Sequence, residues 1–368
     1  MTPIDLVASE PRAVSLAAIE RELARPWQHP DAPRDERATR ALMGNLIVVC
    51  RHEREEATIT QEVPTIASLY PSRVLLLVAD PGSPSPEVEA SVTILGRLKG
   101  ISPQGCGELV TIRAAGPAAP RLASVVRAVR LGDLPTGLWW ATPEAPPLAG
   151  ELFVQLAELA DQVIYDSFGW TDPLRQLVVT ANLVGADGKK VVSDLAWRRP
   201  KLWRRIIAQS LDPAVAPGAL EAISEVNIEH GPHALTQAWL LIGWLAFRLG
   251  WLPRGGKVLP GPEVSWSFEW AHGRPRVEIR RLPEGEPHIR SIRILTRVNA
   301  RPVTFRFELQ APERVSVFAD GLSDRTLSLT GPVYSRDQLV ARQLPDLARD
   351  RLFESSVALA RTMAEAVL

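Results

Sequence analysis

The side chains able to do chemistry are sparse in this sequence, and their spacing is informative mainly by what it fails to complete. The nearest approach to a metal-ligand pattern is Glu229-His230-Gly231-Pro232-His233. Two histidines three apart can share a helical face, but Gly231 and Pro232 between them break that helix, and a zinc site needs three or four converging ligands. The segment therefore reads as a loop into the apolar run that begins at Leu235, and no metal is expected. The remaining histidines, His29, His52, His272 and His288, are isolated. A dinucleotide-binding turn needs G-x-G-x-x-G between a strand and a helix. The closest match, Gly105-Cys106-Gly107, has Val110 at the third glycine position and precedes a strand. A phosphate-binding P-loop fails in the same way, because Gly188-Lys189 is followed by Lys190 and Leu183 replaces the first glycine. G-x-S-x-G and C-x-x-C do not occur. Of the free acids Asp133, Asp161 and Asp166, only Asp166 follows a buried strand at its carboxyl end, where open α/β sheets bind ligands. It is kept as a candidate, and with it the alternative of a sugar-phosphate or nucleotide-binding regulator working at that sheet edge. No catalytic residue and no cofactor are expected.

Three segments combine tryptophan with charge. Trp139 and Trp140 are adjacent on one strand (LPTGLWW), so they must point to opposite faces. Asp166 and Trp170 frame DSFGW. Asp194, Trp197, Arg198, Trp203 and Arg204 lie in DLAWRRPKLWRR, where two tryptophans bracket a basic patch. Tryptophan and arginine are enriched at binding hot spots, and the chain carries 11 tryptophans against 3 tyrosines. Two arrangements fit the last segment. Either the tryptophans pack inward while the arginines pair with Asp194 or solvent, or the segment forms an interface. A second candidate surface comes from alternation near the C-terminus: Arg276, Arg280, Arg293, Arg297 and Arg306 fall on polar positions together with Glu269, Glu278 and Glu308. Cross-strand ion pairs, worth little when exposed, or a docking face for an acidic partner both satisfy that pattern.

The elements that must position these residues fall into two groups. After an N-terminal arm (residues 1–40, with an amphipathic helix near Ser15–Ala24 and then prolines), short β-branched runs alternate with helical segments. The strands are NLIVVC, RVLLLVA, Val88–Leu98, Glu108–Ile112, Thr136–Trp140 and QVIY. Helices are expected at Glu53–Leu69 (interrupted at Pro64), Ala119–Arg130, Glu151–Ala160, Pro173–Leu183 and Arg199–Leu211. Such alternation implies an α/β domain with a mostly parallel sheet, assigned to residues 41–212. Beyond DPAVAPG (212–218) come a short strand at Ile223–Ile228, the apolar helix Leu235–Leu249 and then strict period-two alternation, as in Val264, Trp266, Phe268 and Trp270 against Ser265, Ser267 and Glu269. This predicts a C-terminal α+β domain, residues 213–368, with an antiparallel sheet buried on one face and a final helix over Arg349–Leu368.

Composition narrows the function classes. Lys+Arg and Asp+Glu are both 42, a balance that does not favour a nucleic-acid partner and opposes association little. Two cysteines, Cys50 and Cys106, do not make a secreted disulfide framework. The first residues lack a basic-then-apolar leader pattern, and the longest apolar run, Ala238–Phe247, is too short for a bilayer. A cytoplasmic protein without a membrane partner is the expectation.

Five segments together resemble the glucose-6-phosphate dehydrogenase assembly (OpcA) family: PSRVLLL (Pro71–Leu77), LPTGLWW (Leu134–Trp140), the Asp166-Ser167 and Trp170 pattern, DLAWRRPKLWRR (Asp194–Arg205) and LLIGWLAFRLGW (Leu240–Trp251). They follow the family's order over roughly residues 40–255. The resemblance implies a non-enzymatic partner protein that binds glucose-6-phosphate dehydrogenase and favours its active oligomer. It carries no catalytic motif, so Trp139, Trp140, Asp166, Trp170, Asp194, Trp197, Arg198, Trp203 and Arg204 enter only as interface candidates. Thioredoxin-type control in some relatives raises redox switching at Cys50 and Cys106 as an implication of the resemblance.

Overall fold

The computed structural model describes residues 7–25, 41–80, 82, 88–99, 102–186, 190–261 and 263–368. The chain divides into two compact units. One comprises Met1–Asp166, Gly188–Ser193 and Tyr334–Arg349; the other comprises Ser167–Asp187, Asp194–Val333 and Asp350–Leu368. The domain boundary expected near 212–218 falls within the second unit, and a segment near the C-terminus returns to the first. Composition marked 212–218 because prolines cluster there, but a turn within one unit has the same composition as a link between two.

The first unit is built on a nine-stranded sheet. Its strands are β1 (Val7–Ala8), β2 (Arg12–Val14), β3 (Gly44–Cys50), β4 (Ser72–Asp80), β5 (Val88–Lys99), β6 (Ser102–Ala115), β7 (Thr136–Trp140), β8 (Gln162–Tyr165) and β9 (Val191–Asp194). Its helices are α1 (Ile19–Ala24), α2 (Glu53–Leu69), α3 (Leu122–Val129) and α4 (Glu151–Glu158), with α9 (Arg336–Gln343) added from the returning segment. The path is β1-β5-β6-β4-β3-β7-β8-β9. β3 pairs in parallel with β4 and β7, β4 with β6, and β7 with β8, while β5 is antiparallel to β6. Numbered along the chain without β1, β2 and β5, the order is 3-2-1-4-5-6, that of a doubly wound dinucleotide-type sheet. Every residue of β3 and β7 is buried, because helices cover both faces of a parallel sheet. Trp139 and Trp140 therefore both disappear, Trp140 edge-on to Phe153 of α4 at 5.6 Å and Trp139 beneath the Arg336 guanidinium of α9 at 5.3 Å. α2 runs unbroken through Pro64. Burial of Ile59, Val63 and Ile66 on the same helix outweighs the one backbone bond that proline removes.

The arm is less free than its sequence suggests. β1 and β2 pair with β5, and Glu20 of α1 reaches Arg73 of β4 at 3.2 Å. Arg73 is fully buried and also donates to Glu108 of β6 at 2.8 Å. Burial works against its charge, yet Glu20 and Glu108 together hold its pKa above the usual arginine value.

The second unit carries an eight-stranded sheet: β10 (Glu225–His230), β11 (Leu252–Leu259), β12 (Glu263–Glu269), β13 (Arg276–Arg281), β14 (Ile289–Val298), β15 (Arg301–Ala311), β16 (Arg314–Asp320) and β17 (Ser323–Thr330). Helices α5 (Pro173–Ala186), α6 (Leu195–Arg198), α7 (Lys201–Ser210), α8 (Leu235–Leu249) and α10 (Arg351–Glu365) complete it. All pairings are antiparallel except β10 with β13. Trp266, Phe268, Val277, Ile279, Ile292, Ile294, Phe305 and Phe307 are buried, as the alternation requires. α8 is buried along most of its length and ends at Gly250, whose φ of 70° is the left-handed cap that glycine supplies. Among the described residues no helix is long and apolar enough to cross a membrane.

α8 and α10 touch at Gly243, where an added Cβ would lie 2.4 Å from the Ser356 carbonyl oxygen. Alanine in a helix gains about 1 kcal/mol over glycine, but overpacking against backbone costs about 1–3 kcal/mol. Gly243→Ala is accordingly expected to lower stability in chemical unfolding. A variant as stable as the parent would show that the two helices separate at no cost.

Candidate functional site

The carboxyl ends of β3, β4 and β6 and the start of α2 enclose a cleft of about 810 Å³, lined by Arg51, Arg54, Arg113, Glu53, Asp80 and Glu89 among others. In a sheet of this order the first strand-to-helix turn holds a cofactor pyrophosphate on free helix amides approached across glycines. Here the turn is Cys50-Arg51-His52 with no glycine, and the first turn of α2 carries Glu53, Glu55 and Glu56. The Glu55 carboxylate accepts the Arg51 backbone N–H at 2.8 Å, so the chain's own anion occupies the place of a phosphate. Arg113 is taken by Glu56, with Nε to Oε2 at 2.9 Å, and Arg51 by Glu144 at 2.7 Å. Asp80 ends β4, where a ribose-binding acid would stand, and caps the Gly82 N–H at 3.1 Å. That single acid does not make up for a phosphate turn filled with carboxylates. The residues do not fit a nicotinamide dinucleotide. Asp166 does not line this cleft; it is half-buried just beyond β8.

Cys50, the last residue of β3, opens the same turn. Burial, then Glu55 and Glu56, push its thiol up to about 12. Since the thiolate is the reactive form, Cys50 in a Cys106→Ser background should react with a thiol reagent at pH 8 on the order of 10³-fold more slowly when native than when unfolded. Comparable rates would restore Cys50 as a redox candidate. The side chain of Cys106 lies outside the described residues.

The tryptophan-rich candidates form structure rather than surface. Asp194 is buried and accepts from the backbone N–H of Ser167 at 3.0 Å, the Ser167 hydroxyl at 2.6 Å and the Ala196 N–H at 2.8 Å, capping α6. Trp170, Trp197 and Trp203 are buried as well. The Trp197 indole donates to Asp350 at 2.9 Å, and Asp350 caps α10 through the Phe353 N–H at 2.9 Å. Arg204 stacks 3.7 Å over the Trp197 ring and donates to the Trp197 carbonyl at 2.8 Å. Burial pulls its pKa down to about 10 against the opposing pull of Asp350, so it stays charged at neutral pH. Arg198 is half-buried, while Lys201 and Arg205 are exposed beside it. DLAWRRPKLWRR thus folds as two short helices whose tryptophans are buried, with Arg204 packed on Trp197 and only Lys201 and Arg205 of the basic residues exposed.

His230 is fully buried at the end of β10, its Nδ1 2.7 Å from the Gly231 carbonyl, and burial lowers its pKa. Among the described residues no group of three His, Cys, Asp or Glu could hold a metal.

The open face of the eight-stranded sheet carries the arginines that alternation placed there. Arg276, Arg280, Arg293, Arg297 and Arg306 are all exposed. Register orders the central charges in two rows. Glu278, Asn227, Arg293 and Arg306 lie side by side across β13, β10, β14 and β15. Two residues along each strand lie Arg280, Glu229, Ser291 and Glu308. A concavity of about 390 Å³ opens between these rows. Arg306 pairs with Asp320 at 2.9 Å, Arg293 with Glu225 at 3.4 Å and Arg280 with Glu229 at 3.8 Å, and Arg276 pairs with Glu278. The sequence located this face, but not which charges become neighbours, since that depends on strand order and register.

Family models described as the N-terminal and C-terminal domains of a glucose-6-phosphate dehydrogenase subunit match residues 63–182 and 190–357. The chain is 34% identical over 159 residues to a proposed OxPP cycle protein, OpcA, of Synechocystis sp., covering 42% of this chain and 32% of that protein. It is 27% identical over 273 residues to the corresponding protein of Synechococcus elongatus, covering 69% and 58%. The matched stretches therefore span less than two thirds of those relatives' lengths. Among solved structures, an oxidoreductase from Sinorhizobium meliloti aligns with a TM-score of 0.52 over 89% of this chain and 97% of that one at 12% identity, a likeness of fold alone.

Proposed function

This chain belongs to the OpcA family of glucose-6-phosphate dehydrogenase assembly proteins, and on that premise we propose that it is a non-enzymatic assembly factor and allosteric activator of glucose-6-phosphate dehydrogenase. The observation that carries the reading is the pairing of family likeness in both domains with a doubly wound sheet whose phosphate turn is filled by Glu55. In support of this reading, the turn after β3 carries no glycine and is lined by carboxylates rather than by free amides. To activate, the protein must bind the active oligomer more tightly than the inactive form, because only differential affinity moves an equilibrium. Contact is proposed at the basic surface of α6 and α7, where Arg198 is half-buried and Lys201 and Arg205 are exposed while Trp197 and Trp203 of the same helices are buried.

The test is turnover of the cognate dehydrogenase with and without this protein, run beside size-exclusion chromatography of the mixture. Stimulation with a co-eluting complex is expected. A Lys201→Glu, Arg205→Glu variant should keep its fold and lose stimulation. No stimulation and no complex under either oxidising or reducing conditions would remove the proposal, whereas full activity of the charge-reversed variant would remove only the surface assignment.

A further inference from the structure

The open sheet face of the second unit is charge-balanced in a pattern that the single chain leaves partly unused. Arg293 and Arg306 stand directly opposite each other across β14 and β15, an arrangement of like charges that weakens a sheet. Among the described residues Glu308, two positions along from Arg306 on the same face, has no ion pair or side-chain hydrogen bond. The pairs that do form on this face, such as Arg306 with Asp320, are exposed and so contribute little.

We propose that this face joins two copies of the chain, related by a two-fold axis that lies between the stacked sheets, runs across the strands and passes midway between the Arg306 row and the Glu308 row. Such an axis keeps each strand in place across the sheet and exchanges the two rows. Arg306 then faces Glu308 of the second copy, Arg280 faces Glu278, and Asn227 faces Glu229, and the symmetry makes each contact twice. Rows two residues apart are separated by about 7 Å, and stacked sheets lie about 10 Å apart, within reach of opposed arginine and glutamate side chains. The sheets would cross at the shallow angle usual for aligned packing. From strand spacing and length, β12 to β16 offer about 700 Å² per copy, close to the roughly 800 Å² per partner of a specific complex. The balance of signs is what selects a second copy: an acidic partner would meet Glu229, Glu278 and Glu308 as well as the arginines. An interface this polar should be salt-sensitive.

Sedimentation velocity of the full chain, without the dehydrogenase, tests this apart from the proposed function. A dimer is expected at micromolar concentration in low salt, its dissociation constant rising at least about tenfold between 0.05 and 0.5 M salt. Arg306→Glu sets two acids face to face and should weaken the dimer by at least about tenfold with an unchanged melting temperature. Adding Glu308→Arg to the same chain restores opposite charges and should restore the dimer. Arg297→Glu, on the same face but outside the overlapping rows, should leave it intact. A chain that stays monomeric at all concentrations, or a dimer indifferent to Arg306→Glu, overturns the proposal. So does a monomer whose Arg306→Glu variant loses dehydrogenase stimulation, since the face would then belong to the enzyme.

Discussion

Replacing Arg73 with methionine should destabilise the protein by about 3–5 kcal/mol, the usual consequence of removing one partner from a buried ion pair. The guanidinium is fully buried, and the Glu108 carboxylate it binds at 2.8 Å is almost fully buried as well. Without Arg73 that buried carboxylate loses a charged partner and must either stay ionised at greater cost or take up a proton. Glu20 adds less, because its side chain is half-exposed and water can replace the lost partner. The expected signature is therefore asymmetric. Arg73→Met is severe, Glu20→Gln is mild, and Arg73→Met with Glu108→Gln recovers much of the loss, because the buried carboxylate charge that Arg73 balanced is removed with it. Chemical unfolding followed by intrinsic fluorescence reads all three. A double variant no better than Arg73→Met would show that the packing of the arginine stem, rather than the stranded carboxylate, accounts for the cost. Since Glu20 comes from the N-terminal arm, deletion of residues 1–25 should cost clearly more than Glu20→Gln, because it also removes the buried Ile19 and Leu23 and the β1 and β2 pairing to β5.

The second large effect is expected at Trp203. Its side chain is 5% exposed on α7, and truncating a buried aromatic to alanine costs about 3–5 kcal/mol. Trp203→Ala should thus lower the unfolding midpoint sharply, while Trp203→Phe should retain most of the stability. This matters for the functional test. A drop in dehydrogenase stimulation by Trp203→Ala would follow from a smaller folded fraction, whether or not the indole ever meets the enzyme. Stimulation normalised to folded protein separates the two effects. If normalised stimulation falls while the fold survives, then α7 opens on docking and Trp203 contributes directly. If it does not fall, the tryptophan holds α7 in place without touching the enzyme.

Strand and helix character came through wherever one element's own pattern decided it. NLIVVC had to be buried on both faces, Leu235–Leu249 had to be an interior helix, and the alternation from Val264 onward had to be a half-buried sheet. Elements with weak patterns were missed: Val191–Asp194, the glycine-bearing strand Leu252–Leu259 and the polar helix Arg336–Gln343. Each is stabilised by what it lies against rather than by its own periodicity. Trp139 beneath Arg336 is one such contact, and it joins residues nearly two hundred positions apart.

By itself the sequence determined the fold class, the absence of a complete G-x-G-x-x-G motif, the polar and apolar faces of the C-terminal strands and the family resemblance. All of these are properties of neighbouring residues or of short motifs in order. The tertiary structure decided which tryptophans were core, that Arg73 and Glu108 would be sealed together, that Tyr334–Arg349 returns to the first unit, and that Arg306 stands beside Arg293 and one row from Glu308. The physical reason is that burial and charge pairing depend on strand order, register and helix docking. These are fixed by the combined packing of segments far apart in the chain, and no local period encodes them.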